Sequence, residues 1–159
     1  MDVTLPRETL TDADILKYVK LLSIPHFRGV RMRDELRDER SSSETECGVL
    51  NLQTHYQQGS HWTCWYKNKD YRYYFDSFGE EPPLELLTYL KTPEERENNL
   101  PVISRSAVVV QHFDSNECGS LCLFVLKALS SGIPFPTILV MLGKRFNSHP
   151  TPPLTIKMV

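Results

Sequence analysis

The chain has 159 residues, of which 40% are hydrophobic, 24% charged and 10% aromatic. This is the size of one average domain with a globular composition, so we expect a single domain over residues 1–159 and exclude a disordered or fibrous chain. The net charge of −2 provides no domain-wide attraction to phosphate, which argues against a nucleic-acid-binding protein but leaves a local basic patch open.

Secretory, membrane and metal-binding functions have little support in the sequence. The amino terminus lacks a basic and apolar signal segment, and no later stretch approaches the roughly 20 apolar residues of a membrane span. The 4 cysteines, at positions 47, 64, 118 and 122, form no C-x-x-C pair. We interpret them as thiols in a reducing compartment. Only Cys118 and Cys122 are closely spaced, so we expect no metal.

The first half of the chain predicts one helix followed by strands. Thr11 and Asp14 have the spacing of a capping box before the apolar positions of a helix near 11–22. The charged run from Arg31 to Glu46 predicts an exposed loop. Short strands are expected at 48–52, 62–66 and 71–75, with hairpin-turn residues at 67–70 between the last two.

The second half predicts three helices and one strand. Prolines precede the leucines of a short helix over 84–90, and a polar stretch at 92–99 then loops back. The apolar run 107–110 predicts a strand buried on both faces. Residues 118–131 are apolar nearly all round and predict a buried central helix, and an amphipathic helix over 135–146 follows. These elements indicate a mixed α+β domain with a core helix packed against the sheet.

Cys118 is the most informative position. It begins the predicted central helix, where unpaired N–H groups and the helix dipole favour an anion, so its thiol should ionise readily and act as a nucleophile. Gly119 should let a substrate backbone approach the sulfur. The alternative is a small apolar core residue, which is our interpretation of Cys122.

Three other side chains fit a cysteine nucleophile. His61, just before an aromatic strand, is the candidate general base, and His112 competes for that role. If the strands at 62–66 and 71–75 pair, Asp76 comes near His61 and can hold its tautomer and stabilise its charged form. Gln111 can return to the helix start and complete an oxyanion hole with a backbone N–H. Taken one by one, these residues also fit an exposed histidine, a turn aspartate and a surface glutamine.

Four motifs follow one another along the chain: Gly-Ser-His-Trp at 59–62, Tyr-Phe-Asp-Ser-Phe-Gly at 74–79, Gln111, and Asn-Glu-Cys-Gly-Ser-Leu-Cys at 116–122. This ordered set resembles the superfamily of cysteine peptidases that contains the adenovirus protease (adenain) and the SUMO proteases. Residues 27–30 and 46–51 also resemble segments of adenain-type proteases, including those of Maverick/Polinton elements.

The resemblance implies a papain-like fold of the adenain/SUMO-protease type, with a central mixed or antiparallel sheet on a buried helix that starts at the nucleophile. It implies that Cys118 is the nucleophile, His61 the base, Asp76 the acidic third member and Gln111 the oxyanion-hole amide. It also implies that Trp62 roofs a narrow cleft that admits glycine before the cut. The alternative is that Trp62 is a plain cross-strand partner of an aromatic residue at 73 or 75.

The function implied is a cysteine endopeptidase that cleaves after glycine in Gly-Gly-type motifs and processes structural proteins of a virus or virus-like element. The alternatives are a processing or deconjugating protease for SUMO or another ubiquitin-like protein, and a non-catalytic binding module on the same fold. We expect an intracellular monomer, in the host nucleus or cytoplasm or in a virion, with no cofactor.

Activation like that of adenain is not expected in full. Adenain is activated by a peptide disulfide-linked to a cysteine shortly upstream of the nucleophile, and by DNA. This sequence has no cysteine between Asp76 and Cys118, and its net charge is −2. We therefore expect neither covalent activation nor a nucleic-acid partner, whereas a non-covalent activating peptide stays open.

Overall fold

The computed structural model describes residues 1–39, 42–53, 61–91, 95 and 103–158. The strands are β1 (Asp2–Thr4), β2 (Phe27–Met32), β3 (Glu46–Asn51), β4 (Trp62–Lys67), β5 (Arg72–Phe75), β6 (Ser104–Arg105) and β7 (Thr155–Lys157). The α-helices are α1 (Asp12–Leu21), α2 (Leu84–Leu90), α3 (Cys118–Ser130) and α4 (Phe135–Phe146), and a 3₁₀ helix covers Arg33–Arg37. Apart from residue 95, the predicted loop at 92–99 lies outside the described residues, as do positions 59 and 60 of the first motif.

The centre of the described part is a five-stranded mixed sheet in the order β2-β3-β4-β5-β6, and β1 pairs separately with β7. Strands β3, β4 and β5 are antiparallel neighbours, while β2 and β6 are parallel to the strands beside them. The predicted hairpin is confirmed: the side-chain oxygen of Asn68 accepts the backbone N–H groups of Asp70 at 2.9 Å and Tyr71 at 2.7 Å. Those bonds close the turn between β4 and β5.

Helices follow the predicted positions closely. At the start of α1, the Thr11 hydroxyl accepts the Asp14 N–H at 3.1 Å and the Asp14 carboxylate accepts the Thr11 N–H at 3.0 Å, which is the predicted capping box. Helix α3 is covered on most sides, with 10 of its residues buried, and it ends before Gly132, whose φ is +90°. That conformation is open to glycine and explains why the helix stops there.

Each face of the sheet carries its own apolar cluster. Helix α3 packs on one face against Cys64 and Phe75. On the other face Trp65 and Tyr74 contact α2. Successive residues of a strand point to opposite faces, so the near-continuous apolar sequence of β4 and β5 follows from burial on both sides.

A buried carboxylate organises the cluster beneath α2. Glu46, 2% exposed, accepts the indole N–H of Trp65 at 2.9 Å and the hydroxyl of Tyr89 at 2.7 Å on the same oxygen. Across the strand pair, the Trp65 ring fills the space where a Cβ of Gly48 would stand, at 2.3 Å. The β3–β4 pairing therefore depends on glycine at position 48.

The prediction of an exposed loop from Arg31 to Glu46 is wrong. Strand β2 continues to Met32, and the 3₁₀ helix that follows buries Leu36, which is 4% exposed. The alternating charges have local partners, since Arg31 forms an ion pair with Glu39 at 2.6 Å. The many charges of this segment predicted a solvated loop. In the structure ion pairs between these charges allow a strand and a helix to form beside the sheet.

The prediction of a buried strand at 107–110 is also wrong. Val108 and Val109 are 47% and 53% exposed, and only Val110 is buried. The edge of the sheet is taken by β6 instead, and the N–H of Val110 donates to the Ser77 carbonyl at 2.8 Å. The segment thus crosses the end of β5 rather than joining the ladder.

Two further findings bear on the class of protein. No described helix is long and apolar enough to cross a membrane. Within the described ranges, no three His, Cys, Asp or Glu side chains gather as metal ligands, and the 4 cysteines are buried and form no disulfide.

Candidate active site

The β4–β5 hairpin brings His61 and Asp76 together. His61 immediately precedes β4 and Asp76 immediately follows β5, so the antiparallel pairing places both at the same end of the sheet. The His61 Nε2 atom lies 2.9 Å from Asp76 Oδ1. Because Nε2 is occupied in this way, Nδ1 is the ring nitrogen that remains for proton exchange with Cys118.

Asp76 is held from several directions. The carboxylate is 1% exposed, and its Oδ1 atom also accepts the backbone N–H of Phe78 at 2.8 Å. The buried hydroxyl of Ser106 accepts the Asp76 N–H at 3.1 Å and donates to the Asp76 carbonyl at 3.2 Å. The carboxylate is therefore fixed both through its own oxygen and through its backbone.

Electrostatics favour a charged imidazole at the site. Burial, the largest single influence on His61, lowers its pKa, but hydrogen bonds and charge interactions with Asp76 and with Cys118 outweigh it and raise the pKa to about 9. The ring also packs on Phe78, with 5.1 Å between ring centroids. At neutral pH His61 is consequently an imidazolium between a carboxylate and the sulfur.

Cys118 is the first residue of α3 and is 4% exposed. With His61 and Gln111 it lines an open cleft of about 260 Å³. The remaining walls of that cleft are Thr9, Phe78, Phe113, Ser115 and Asn116. The nucleophile, the base and the oxyanion amide predicted from the sequence thus share one cavity.

An ion pair anchors the start of α3. Glu117, directly before Cys118, accepts a guanidinium N–H of Arg145 at 2.7 Å, and both side chains are less than a tenth exposed. The Nε–H group of Arg145 donates to the Pro152 carbonyl at 2.8 Å. Helix α4 and the segment after it therefore fix the residue that precedes Cys118.

Gln111 is buried, 4% exposed, so the interpretation as a surface glutamine is wrong. Its Oε1 atom accepts the hydroxyl of Ser77 at 2.6 Å, and its Nε2 atom donates to the Ser115 carbonyl at 2.9 Å. An amide nitrogen carries two hydrogens. One hydrogen is used by Ser115, and the other is available to an anion formed beside Cys118.

The sequence suggested that Gly119 opens a path to the sulfur, and this prediction is wrong. A Cβ at this position would lie 3.2 Å from side-chain atoms of Leu10 and 3.2 Å from Cδ1 of Trp62. The space beside Gly119 is filled by the protein, and the small residue serves packing rather than substrate approach.

Trp62 is 7% exposed and donates its indole N–H to the Leu10 carbonyl at 2.9 Å. It does not line the cleft around Cys118 but a neighbouring pocket of about 420 Å³, and Thr9 lines both. Between β4 and β5, Phe75 stands opposite Cys64 and Tyr73 opposite Tyr66, so Trp62 is the direct cross-strand partner of neither aromatic residue. A role of Trp62 in binding substrate stays a prediction.

The competing residues lie elsewhere. His112 stacks on Phe146 with 4.2 Å between ring centroids and does not line the cleft. Cys122 is fully buried in the core, where burial raises the pKa of its thiol well above the ordinary value. Its position fits the structural role predicted for it.

Sequence reasoning missed the supporting serines. Ser77 and Ser106 form no motif of their own, and a single buried serine has no periodic signature. Only the position of Ser77, directly after Asp76, offered a signal. Thr9 was missed because nothing in the sequence indicates that the segment before α1 reaches the cleft.

No protein-family model and no curated protein matches the sequence. Among solved structures, two of the ASFV pS273R protease align with TM-scores of 0.58 and 0.57, at 16% and 15% identity. The alignments cover 87% of this chain and 65% of the protease, so this chain spans just under two thirds of its length. A structure of the SUMO protease Ulp1 aligns at 17% identity with a TM-score of 0.49, covering 86% of this chain and 75% of Ulp1.

The chain has the fold of the adenain/SUMO-protease superfamily. The mixed α+β architecture and the resemblance inferred from the four motifs are thereby confirmed at the level of the fold. At 15–16% identity the comparison with the ASFV protease establishes the shared fold alone.

Proposed function

We propose that this chain is a cysteine endopeptidase, a thiol protease. The observation that carries the proposal is the placement of His61 between Asp76 and Cys118, in a cleft that Gln111 also lines. A nucleophile, a base held by a third group, and a donor for developing negative charge are the parts that acyl transfer requires.

The geometry supports a two-step reaction. The proton of Cys118 resides on His61, and the sulfur attacks the carbonyl carbon of the scissile peptide bond. The remaining amide hydrogen of Gln111 and a backbone N–H at the start of α3 donate hydrogen bonds to the oxyanion. His61 then donates its proton to the leaving amine, which leaves a thioester on the sulfur. In the second step His61 takes a proton from water, the hydroxide attacks the thioester, and the thiol is restored as the acid leaves.

For the substrate we propose a protein with glycine before the cut. The cleft is small, at about 260 Å³, and Phe78 and Thr9 line it together with Cys118, which favours a residue without a branched side chain beside the sulfur. The biological substrate proposed is a structural protein of a virus or virus-like element. Cysteines that form no disulfide fit a reducing, intracellular compartment.

A matched pair of cysteine variants tests the activity. Cys118→Ala should abolish peptide cleavage and labelling by iodoacetamide at neutral pH, with stability changed by no more than about 1–2 kcal/mol. Cys122→Ala, on the same helix, should keep cleavage per folded molecule and lose more stability. Wild-type protein that is folded but neither labelled at Cys118 nor active would refute the proposal and favour a binding module.

Cleavage of a peptide library followed by mass spectrometry tests the substrate. We expect glycine before the cut in most products. Replacing that glycine by alanine should lower kcat/KM about 10- to 100-fold, since one methyl group must be accommodated in a rigid cleft. Equal turnover of both peptides would refute the glycine preference and leave the thiol chemistry intact. Cleavage confined to the tail of a ubiquitin-like protein would indicate deconjugation.

A further inference from the structure

The two residues that follow β5 contact different parts of the catalytic cleft. Asp76 bonds to His61 at 2.9 Å, and Ser77 bonds to Gln111 at 2.6 Å. Ser77 is completely buried, and the proposed mechanism has so far used only its neighbour. Its hydroxyl is therefore a buried polar group whose partner is the oxyanion amide itself.

The orientation of the Gln111 amide decides whether it helps or hinders the reaction. With its nitrogen toward the sulfur, the amide donates to an oxyanion; rotated by half a turn, it presents a carbonyl oxygen and repels one. The two ends of a glutamine amide are nearly equal in shape, so packing alone selects poorly between them. Hydrogen bonds must make the selection.

The Ser115 carbonyl makes that selection here, and the bond to Ser77 holds the other end of the amide. The Ser115 carbonyl can only accept, so the atom that faces it at 2.9 Å is the nitrogen. Oε1 then faces Ser77, whose hydroxyl donates at 2.6 Å. Rotation of the amide would set its oxygen against the Ser115 carbonyl oxygen and break that bond, and Ser77 would have to turn from donor to acceptor.

We propose that Ser77 is a positioning residue, which fixes the Gln111 amide so that its second hydrogen points at the oxyanion. This inference rests on the proposed peptidase function. One short turn after β5 then sets both halves of the machinery: Asp76 orients the base, and Ser77 orients the oxyanion donor.

The fold does not depend on this hydroxyl. The carbonyl of Ser77 accepts the N–H of Val110 at 2.8 Å, and this backbone bond already joins the two segments. Removal of the side-chain oxygen leaves that bond in place. Ser77→Ala should consequently fold, with its defect confined to the amide.

The test is a double-mutant cycle in kcat and KM on a peptide with glycine before the cut. Gln111→Ala should lower kcat about 10²- to 10³-fold with little change in KM. Ser77→Ala should lower kcat about tenfold, with KM within about twofold. In the Gln111→Ala background, Ser77→Ala should change kcat by less than about twofold, because Ser77 acts only by positioning the Gln111 amide. Thr63→Val removes another buried hydroxyl, which donates to Leu50 at 3.3 Å, and should leave kcat unchanged.

A second readout does not need turnover. In two-dimensional NMR of ¹⁵N-labelled protein, the two side-chain N–H signals of Gln111 should differ strongly in hydrogen exchange and converge in Ser77→Ala. The inference would be overturned if Ser77→Ala kept the wild-type kcat, or if Ser77→Ala lowered kcat equally in the wild type and in Gln111→Ala. Activity of the wild-type protein would still uphold the peptidase proposal in either case. If the wild type is inert, the peptidase proposal fails, and unchanged N–H signals in Ser77→Ala would separately overturn the positioning role. If Ser77→Ala does not fold, Ser77→Gly also removes the hydroxyl, and wild-type kcat in that variant would overturn the inference.

Discussion

Replacement of Asp76 by asparagine isolates the charge that keeps His61 protonated. Asparagine is nearly isosteric with aspartate, and its side-chain oxygen can still accept from the Phe78 N–H and from the histidine ring. What it lacks is the negative charge, which contributes to raising the pKa of His61 to about 9 against the loss of solvation on burial. The pKa of His61 should therefore fall, with the interaction with Cys118 left to raise it.

The size of the effect follows from that pKa. The difference between about 9 and the ordinary 6.5 corresponds to about 3 kcal/mol of imidazolium stabilisation. The hydrogen bond to Asp76 is the largest of the interactions that raise the pKa, so Asp76→Asn should remove about 1.5–3 kcal/mol of it. We expect the kcat of Asp76→Asn to fall about 10- to 100-fold. The kcat of His61→Ala should fall to background because this change removes the proposed base itself.

Two measurements check this prediction. An NMR titration of the His61 ring should show a midpoint near 9 in the wild type and at least one pH unit lower in Asp76→Asn. The alkaline limb of kcat/KM should move with it. Asp114→Asn, an exposed carboxylate-to-amide change on the loop before Cys118, serves as the control and should move neither. A His61 midpoint that stays near 9 in Asp76→Asn would refute the electrostatic reasoning.

Three further predictions concern stability. The pKa of His61 rises from 6.5 to about 9 on folding. Its contribution to stability is therefore complete below pH 6.5 and is lost between pH 6.5 and about 9. The free energies of unfolding of the wild type and His61→Gln, measured in urea, should differ at pH 6 and converge at pH 9.5. Arg145→Ala leaves the buried Glu117 carboxylate with Arg7, whose guanidinium lies 4.0 Å away, and should cost about 2–3 kcal/mol in urea unfolding; a loss below about 1 kcal/mol would contradict the anchoring role. Gly48→Ala drives a methyl group to 2.3 Å from the Trp65 ring and should cost about 3 kcal/mol or prevent folding, whereas an unchanged melting temperature would contradict the packing described.

The site could be predicted from the sequence because its parts stand at the ends of strongly patterned elements. The aromatic strands at 62–66 and 71–75 leave one pairing for a short hairpin, and that pairing puts His61 beside Asp76. The apolar sequence after Cys118 fits a helix buried on all sides, so the cysteine necessarily stands at its start. Local patterns fixed these positions without any long-range information.

The remainder depended on contacts that no local pattern shows. The valines at 108 and 109 look like a buried strand, yet they are exposed because the backbone at Val110 bonds to Ser77. The proline-rich end contains β7, which pairs with a strand about 150 residues away. Gly119 was assigned to the substrate because the sequence gives no sign that Leu10 packs against it.

The last prediction decides what Gly119 is for. A methyl group at this position would stand 3.2 Å from Leu10 and Trp62, which is closer than ordinary contact by a few tenths of an ångström. Trp62 cannot yield freely because its indole N–H is bonded to the Leu10 carbonyl. The displacement should fall on the segment at Leu10, and with it on Thr9, which lines the cleft.

Gly119→Ala should therefore raise KM for peptide substrates more than it lowers kcat. Its cost in stability should stay near 1 kcal/mol, because overpacking of about 1–3 kcal/mol is offset by about 0.8–1 kcal/mol of improved helix propensity. Shortening the facing side chain separates packing from substrate access. In a Leu10→Ala background, Gly119→Ala should lower stability less and raise KM less than it does in the wild type. If substrate lies on Gly119 instead, Gly119→Ala would abolish turnover at unchanged stability, and Leu10→Ala would restore nothing.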